Sequence, residues 1–208
     1  MDDFFAGVLT RAIPWPAGQA DLHWHILHDP LAVEEQLTGP YRKLTDQPGL
    51  AAVEARWVHT TVMRGGPVAQ YRTAELRTIL ARVREEAASI APFELTYGRP
   101  EVGRVALELP AYPGEPARRL WELTTRIHTE VTDARFPLRP PVYFPHASLA
   151  YGVAGEVRPD RLAMKALLSD LPNRPVTLPV TRISLIAQSH DGQHITWTHL
   201  GDAVLGGH

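Results

Sequence analysis

The sequence predicts a mixed α+β fold, and three observations carry that reading. Short runs rich in β-branched and aromatic residues recur along the chain, among them Leu22–His28, Phe93–Tyr97 and Val105–Leu109. Between such runs lie three amphipathic segments, at about 74–90, 115–131 and 159–171, with apolar residues at helical spacing. Two further strand-like stretches each carry a histidine two places before a hydroxyl, at His59 and His146, 87 residues apart. Each of these is followed by a turn, a helix and a two-stranded segment, a coarse duplication of secondary structure without matching sequence.

The elements follow in order. Leu22-His23-Trp24-His25-Ile26-Leu27-His28 reads as a first strand, ended by Asp29-Pro30. That pair is also a helix start, with Asp as N-cap and Pro at the first helical position. A helix from about Leu31 is expected to stop near Gly39-Pro40. After a turn at Pro48-Gly49, a strand spans about 53–63 and Gly65-Gly66-Pro67 closes it. The helix at 74–90 is read from Leu76, Ile79, Leu80, Val83, Ala87 and Ile90, with arginines and glutamates opposite. Strands at 93–97 and 105–109 flank Gly98 to Gly103. Leu120, Leu123, Ile127 and Val131 mark the helix at 115–131. Proline-rich residues 136–141 lead into a strand at about 142–151, and a third helix runs over 159–171. Residues 176–187 and 195–200 are expected to form a hairpin around His190-Asp191-Gly192-Gln193.

Composition narrows the function classes. At 208 residues the chain fits one large domain or two small lobes. Hydrophobic content of 44% and charged content of 21% are those of an ordinary globular protein. A net charge of -2 does not mark a nucleic-acid binder, though a small phosphorylated substrate or a local basic patch is compatible with it. With no cysteine, disulfides, thiolate metal sites and a cysteine nucleophile are excluded. The start, Met1-Asp2-Asp3-Phe4-Phe5, lacks the basic region of a secretion signal. No run approaches the ~18 apolar residues of a membrane span. A soluble cytoplasmic protein with no membrane partner is the expectation.

The histidine motifs carry the chemistry. In a strand, residues i and i+2 share a face, so His59 stands beside Thr61 and His146 beside Ser148. Ser and Thr fill about a tenth of the chain, so ten histidines yield roughly one such match by composition alone. The chain has three, the third being His194-Ile195-Thr196. Only the first two sit in apolar strands at matching places of the repeated unit; His194 falls in the closing hairpin and reads as an exposed turn residue. Thr is common in strands. Ser148, on an otherwise Phe/Leu/Ala/Tyr strand, is harder to explain by packing. Thr60 points the other way and reads as a packing residue.

Other candidates are weaker. His23, His25 and His28 cluster on the first strand, and a His-x-His pair can chelate zinc. No third ligand or metalloenzyme signature accompanies it, so no metal site is assigned. His25 is instead a candidate to line the cleft. Arg64, just past the first motif, could reach a phosphate, and Tyr151, just past the second, could flank a base. Arg118, Arg119 and Arg126 read as the solvent face of a helix.

With these residues in view, the chain resembles the 2H phosphoesterase superfamily, and within it the bacterial 2′-5′ RNA ligase-like, or RNA 2′,3′-cyclic phosphodiesterase, group. That superfamily is defined by two His-x-Thr/Ser motifs with hydrophobic flanks. Phe144-Pro145-His146-Ala147-Ser148-Leu149-Ala150-Tyr151 is especially similar to the group's second motif, and the resemblance runs from about residue 21 to 200. Val62-Met63-Arg64-Gly65 departs from the Leu-rich continuation usual after the first motif. The resemblance implies two pseudo-symmetric lobes in a single domain spanning 1–208, with antiparallel sheets lining a central cleft and helices outside. It also implies no cofactor and no metal requirement.

By the same resemblance the activity is hydrolysis of 2′,3′-cyclic phosphate ends of RNA or nucleotides, with reversible 2′-5′ RNA ligation as a further capacity. His59 then protonates the leaving oxygen, His146 activates water, and Thr61 and Ser148 hold the phosphate. The implied partner is a small phosphodiester or an RNA 3′ end, with no obligate protein partner. Two alternatives stay open at this point. One is a module that binds nucleotides or RNA ends without turnover. The other is a hydrolase of a different small cyclic or 2′-5′ phosphodiester.

Overall fold

Strand residues alternate between two buried surfaces, and this builds the architecture. In β1 (Asp21–Ile26) every residue is buried. Leu22, Trp24 and Ile26 belong to the main apolar core, while Asp21, His23 and His25 alternate with them. The computed structural model describes residues 1–138 and 142–206. Its sheet runs through β3 (Thr60–Pro67), β4 (Phe93–Tyr97), β6 (Ala106–Tyr112), β7 (His146–Gly152), β8 (Val176–Val180), β9 (Arg182–His190) and β10 (Ile195–Val204). The order is β10-β9-β1-β3-β7-β6-β4-β8; the short β2 (Leu50–Ala52) pairs with β7 and β5 (Glu101–Val102) with β6. All pairings are antiparallel.

The two lobes predicted from the resemblance are the two four-strand halves of this order. They meet where β3 and β7 join through one bridge, Thr60 to Ala147. Neither half is contiguous in sequence: β4 and β6, which follow β3, join β7, whereas β9 and β10, which follow β7, join β3 through β1. The duplicated units are therefore interleaved.

Helices cover the outside. In α4 (Thr73–Ala87), Ile79, Val83 and Ala87 are fully buried. Its start is closed by Glu75, which accepts from the Arg72 backbone N–H at 2.8 Å and from the Arg72 and Arg135 guanidiniums. In α5 (Gly114–Val131), Leu120 and Ile127 face inward, and Trp24 Nε1 donates to His128 Nε2 at 2.9 Å, tying β1 to this helix. Arg118, Arg119 and Arg126 lie on the exposed side and pair with Glu122, Glu115 and Glu86, as expected. α6 (Arg161–Ser169) begins at the N-cap Asp160.

Several expectations are corrected. The strand expected at 53–63 is divided: β2 ends at Ala52, a 3₁₀ turn occupies Ala55–Trp57, and β3 starts only at Thr60. β3 continues through Gly65-Gly66 instead of closing there. The strand expected at 142–151 starts at His146, and residues 139–141 of its approach lie outside the described residues. The helical path from α2 (Pro30–Val33) does not stop at Gly39-Pro40. It passes through a π turn, Glu34–Thr38, and a 3₁₀ turn into α3 (Arg42–Thr45). Gly39 permits this, since a Cβ there would sit 2.6 Å from the Glu34 carbonyl oxygen. The closing hairpin is β9 with β10; β8 breaks away at Thr181 and pairs with β4 in the other half. A short helix, α1 (Phe4–Val8), has no counterpart among the elements expected from sequence.

Candidate active site

The seam between the halves positions the motif residues. Thr60 and Ala147 face each other across the bridge, and both are buried. Residues on either side of a bridged pair point to the opposite face, so His59, Thr61, His146 and Ser148 all project to one side. Antiparallel register sets His59 level with Ser148 and Thr61 level with His146. The two histidines are then diagonal neighbours, a relation that usually spans about 7–8 Å. Thr60, as expected, packs inward, its hydroxyl 2.8 Å from Tyr97 Oη.

Both rings are held the same way. His59 Nδ1 lies 2.9 Å from the Trp57 carbonyl and His146 Nδ1 lies 3.0 Å from the Phe144 carbonyl, each two residues back. A carbonyl only accepts, so each Nδ1 carries the proton and each Nε2 is left for chemistry. The same local bonds sit where the strands begin, at His59 just before β3 and at His146, the first residue of β7.

Beyond the hydroxyl the two motifs also match. β3 has an extra residue at Val62 relative to β1, because Trp24 pairs with Met63 and His25 with Thr61. β7 has an extra residue at Leu149 relative to β6, because Leu107 pairs with Ala150 and Glu108 with Ser148. Such bulges re-aim the side chains beyond them. They return Arg64 to the face of Thr61 and Tyr151 to the face of Ser148.

Environment differs between the two histidines. His59 is half-buried, stacked on the fully buried His25 at 3.9 Å between ring centroids and 9° between planes. Trp197 stands nearly perpendicular to both rings, its centroid 5.1 Å from that of His59 and 5.3 Å from that of His25. Burial pushes the His59 pKa down to about 4, with the charge of His146 acting in the same direction and the bond to Trp57 opposing it. His146 is exposed, and Glu108 Oε1 lies 3.7 Å from its Nε2, an ion pair when the ring is protonated.

Thr61, Arg64, Glu108 and His146 line a cavity of about 970 Å³. His59, Ser148, His25 and Tyr151 are not among its lining residues. Arg64 is partly committed elsewhere, donating to the Ile13 carbonyl at 2.7 Å and pairing with buried Asp21 at 3.4 Å. Two expectations of substrate contact are corrected. His25 has no exposed surface and supports His59 from beneath, with its Nε2 3.3 Å from His23 Nδ1. Tyr151 is buried against Phe4 and Phe5. His28 is spent on Tyr97 Oη at 2.8 Å, and His194 is exposed beside Asp191. Among the described residues no cluster of three or more His, Asp or Glu could hold a metal ion. None of the described helices is long and apolar enough to cross a membrane.

Sequence reasoning missed Glu108 and Trp197. Glu108 had a usable signal, as the one charge within the apolar run Val105–Leu109. Trp197 had none, because its contact with His59 depends on β10 reaching the site through β9 and β1.

Fold and site together define a two-histidine phosphoesterase architecture, and comparison with known proteins agrees. The family model for the 2′-5′ RNA ligase superfamily matches residues 29–192. This chain belongs to that superfamily, the 2H phosphoesterases. Among solved structures it is similar to TT0787 of Thermus thermophilus, with a TM-score of 0.70 and 19% identity over 90% of this chain and 98% of that one. It is also similar to E. coli LigT complexed with NADP+, at a TM-score of 0.65 and 17% identity over 90% and 99% of the two chains. E. coli LigT complexed with 3′-AMP gives a TM-score of 0.66 at 16% identity over 90% and 98%. No curated protein matches by sequence.

Proposed function

We propose that this protein is a metal-independent phosphodiesterase that opens 2′,3′-cyclic phosphates of nucleotides or RNA 3′ ends. The observation that supports this most is the matched pair of imidazoles. Each offers its Nε2 on the face that carries Thr61 and Ser148. The binding of 3′-AMP by the structurally similar LigT is consistent with a nucleotide in such a cleft.

Opening a cyclic phosphate needs a proton removed from water and another delivered to the departing ribose oxygen. The family resemblance makes His59 the acid. Its local environment favours the other order, since a ring with its pKa pushed down to about 4 is neutral at pH 7 and has a lone pair on Nε2. In our reading His59 takes the proton of water as the water oxygen bonds to phosphorus. His146, carrying its proton on Nε2 beside Glu108, gives it to the ribose oxygen as that P–O bond breaks. Solvent exchange then restores both rings. Thr61 and Ser148 donate to the non-bridging oxygens as charge builds there. The chain's own imidazoles move both protons, so chelators are expected to leave turnover intact.

The test is hydrolysis of the four 2′,3′-cyclic nucleotides by the wild type, His59→Ala and His146→Ala, with and without EDTA. Each substitution is expected to lower kcat by about 10²–10⁴-fold. Full turnover by either variant would end this reading. Nucleotide binding with no turnover by the wild type would select the binding module instead.

A further inference from the structure

The cavity that opens from Thr61 and His146 is far larger than a phosphate requires, and most of its wall is apolar. Its volume of about 970 Å³ is that of a pocket for a whole small ligand. Two of its lining rings, Trp121 from α5 and Tyr143 from the approach to β7, lie 3° from parallel with centroids 5.6 Å apart. This is an offset pair with a shared flat aspect. The pair is also pinned to the reacting centre, because Tyr143 Oη donates to the Thr61 carbonyl at 3.2 Å. Phe144, 75% exposed, stands at the same cavity two residues before His146.

Among the described residues the fixed charges of the lining balance. Arg11 and Arg64 are set against Glu101 and Glu108. Among those residues a polyanion tracking through the cavity meets only a protonated His146 beyond the balanced pairs, a single cation to replace its counterions. Attraction beyond the phosphate is then favoured through apolar ring contact. Aromatic platforms provide that for nucleobases of any sequence, because every base has a π face.

We propose that Trp121 and Tyr143 form the seat of the substrate's nucleobase, so that the site takes nucleoside cyclic phosphates by stacking and gains little from additional nucleotides. The proposal rests on the phosphodiesterase reading above and adds to it the group that the cavity selects.

The measurement is the ratio of kcat/KM for 2′,3′-cyclic AMP to that for glycerol 1,2-cyclic phosphate, which has a five-membered cyclic phosphate but no base. Trp121→Ala is expected to lower this ratio roughly ten-fold, mostly through KM, and Trp121→Phe to restore most of it. Lengthening the substrate to a cyclic-phosphate-ended tetranucleotide is expected to change kcat/KM by less than about three-fold at moderate salt. An unchanged ratio in Trp121→Ala, or a steep gain with length, overturns the proposal. Should the wild type hydrolyse neither compound, the phosphodiesterase reading fails alone. Calorimetric titration with 3′-AMP and with inorganic phosphate then decides the seat. Binding of 3′-AMP above that of phosphate, lost in Trp121→Ala, upholds it, and equal binding refutes it.

Discussion

The imidazole of His25 lies face to face with that of His59, 3.9 Å between centroids and 9° from parallel. The N–H bonds of parallel rings lie in the ring planes, so no proton passes directly between these two faces. Under the proposed mechanism His25 is therefore a positioning residue: its ring holds the plane of His59, with Trp197 nearly perpendicular to both. An aromatic contact of this kind is worth about 0.5–1.5 kcal/mol, which at its upper end is roughly ten-fold in rate. His25→Ala is expected to lower kcat about ten-fold with KM nearly unchanged, and His25→Phe to keep most activity. Loss of activity in the Phe variant equal to that in Ala would mean that the ring nitrogens matter, not the stack.

The pH–rate profile should be displaced on its acid side. His59 is held near a pKa of about 4 chiefly by burial, and as the base it must be unprotonated in the free enzyme. Its contribution is present at neutral pH and is lost as pH falls through about 4. The acid limb of kcat/KM is expected there, well below the ordinary histidine value. A limb centred at pH 6.5 that vanishes in His59→Ala would contradict the assignment of His59 as base.

The hydroxyls should act on kcat. Thr61→Val and Ser148→Ala each remove one donor to the charge that builds on phosphorus oxygens, and donors of this type are worth about 10²-fold or more. Thr61→Ser is expected to keep activity because it keeps the donor. Steady-state kinetics on a cyclic nucleotide distinguishes this from a packing role, which would lower stability in Thr61→Ser as well and leave kcat alone.

Tyr97 should matter for stability rather than turnover. Its hydroxyl lies 2.8 Å from Thr60 Oγ1 and 2.8 Å from His28 Nε2, joining three separate segments in a buried place. Tyr97→Phe leaves both partners short of a bond, at a cost of about 1–3 kcal/mol. Urea denaturation is expected to show that loss, with kcat unchanged in the absence of denaturant.

The legible part of this molecule was its local part. A histidine and a hydroxyl two residues apart share a strand face wherever the strand pairs, so His59 with Thr61 and His146 with Ser148 could be read without knowing the fold. The long helices were legible for the same reason, since the inward positions of α4 recur every three or four residues. What escaped depends on distant partners. Nothing near Thr60 announces Ala147, and nothing near His25 announces that β1 will lie beside β3. The break at Thr181 was hidden because β8 and β9 are both apolar strands that run on without a glycine or a long loop. The five-residue α1 is too short to show a period. Tyr151 looked available only because burial by Phe4 and Phe5 comes from the far end of the chain.

The paired bulges at Val62 and Leu149 have a consequence for how a diester can lie. They deliver unlike groups to equivalent places, a guanidinium beside Thr61 and a phenol beneath Ser148. The scaffold is nearly twofold but its furnishing is polarised, with a guanidinium at one of the two equivalent places and a phenol at the other. A diester lying across the seam would thus meet unlike neighbours on its two sides, and under the proposed mechanism only one head-to-tail direction sets its bridging oxygen under the proton donor.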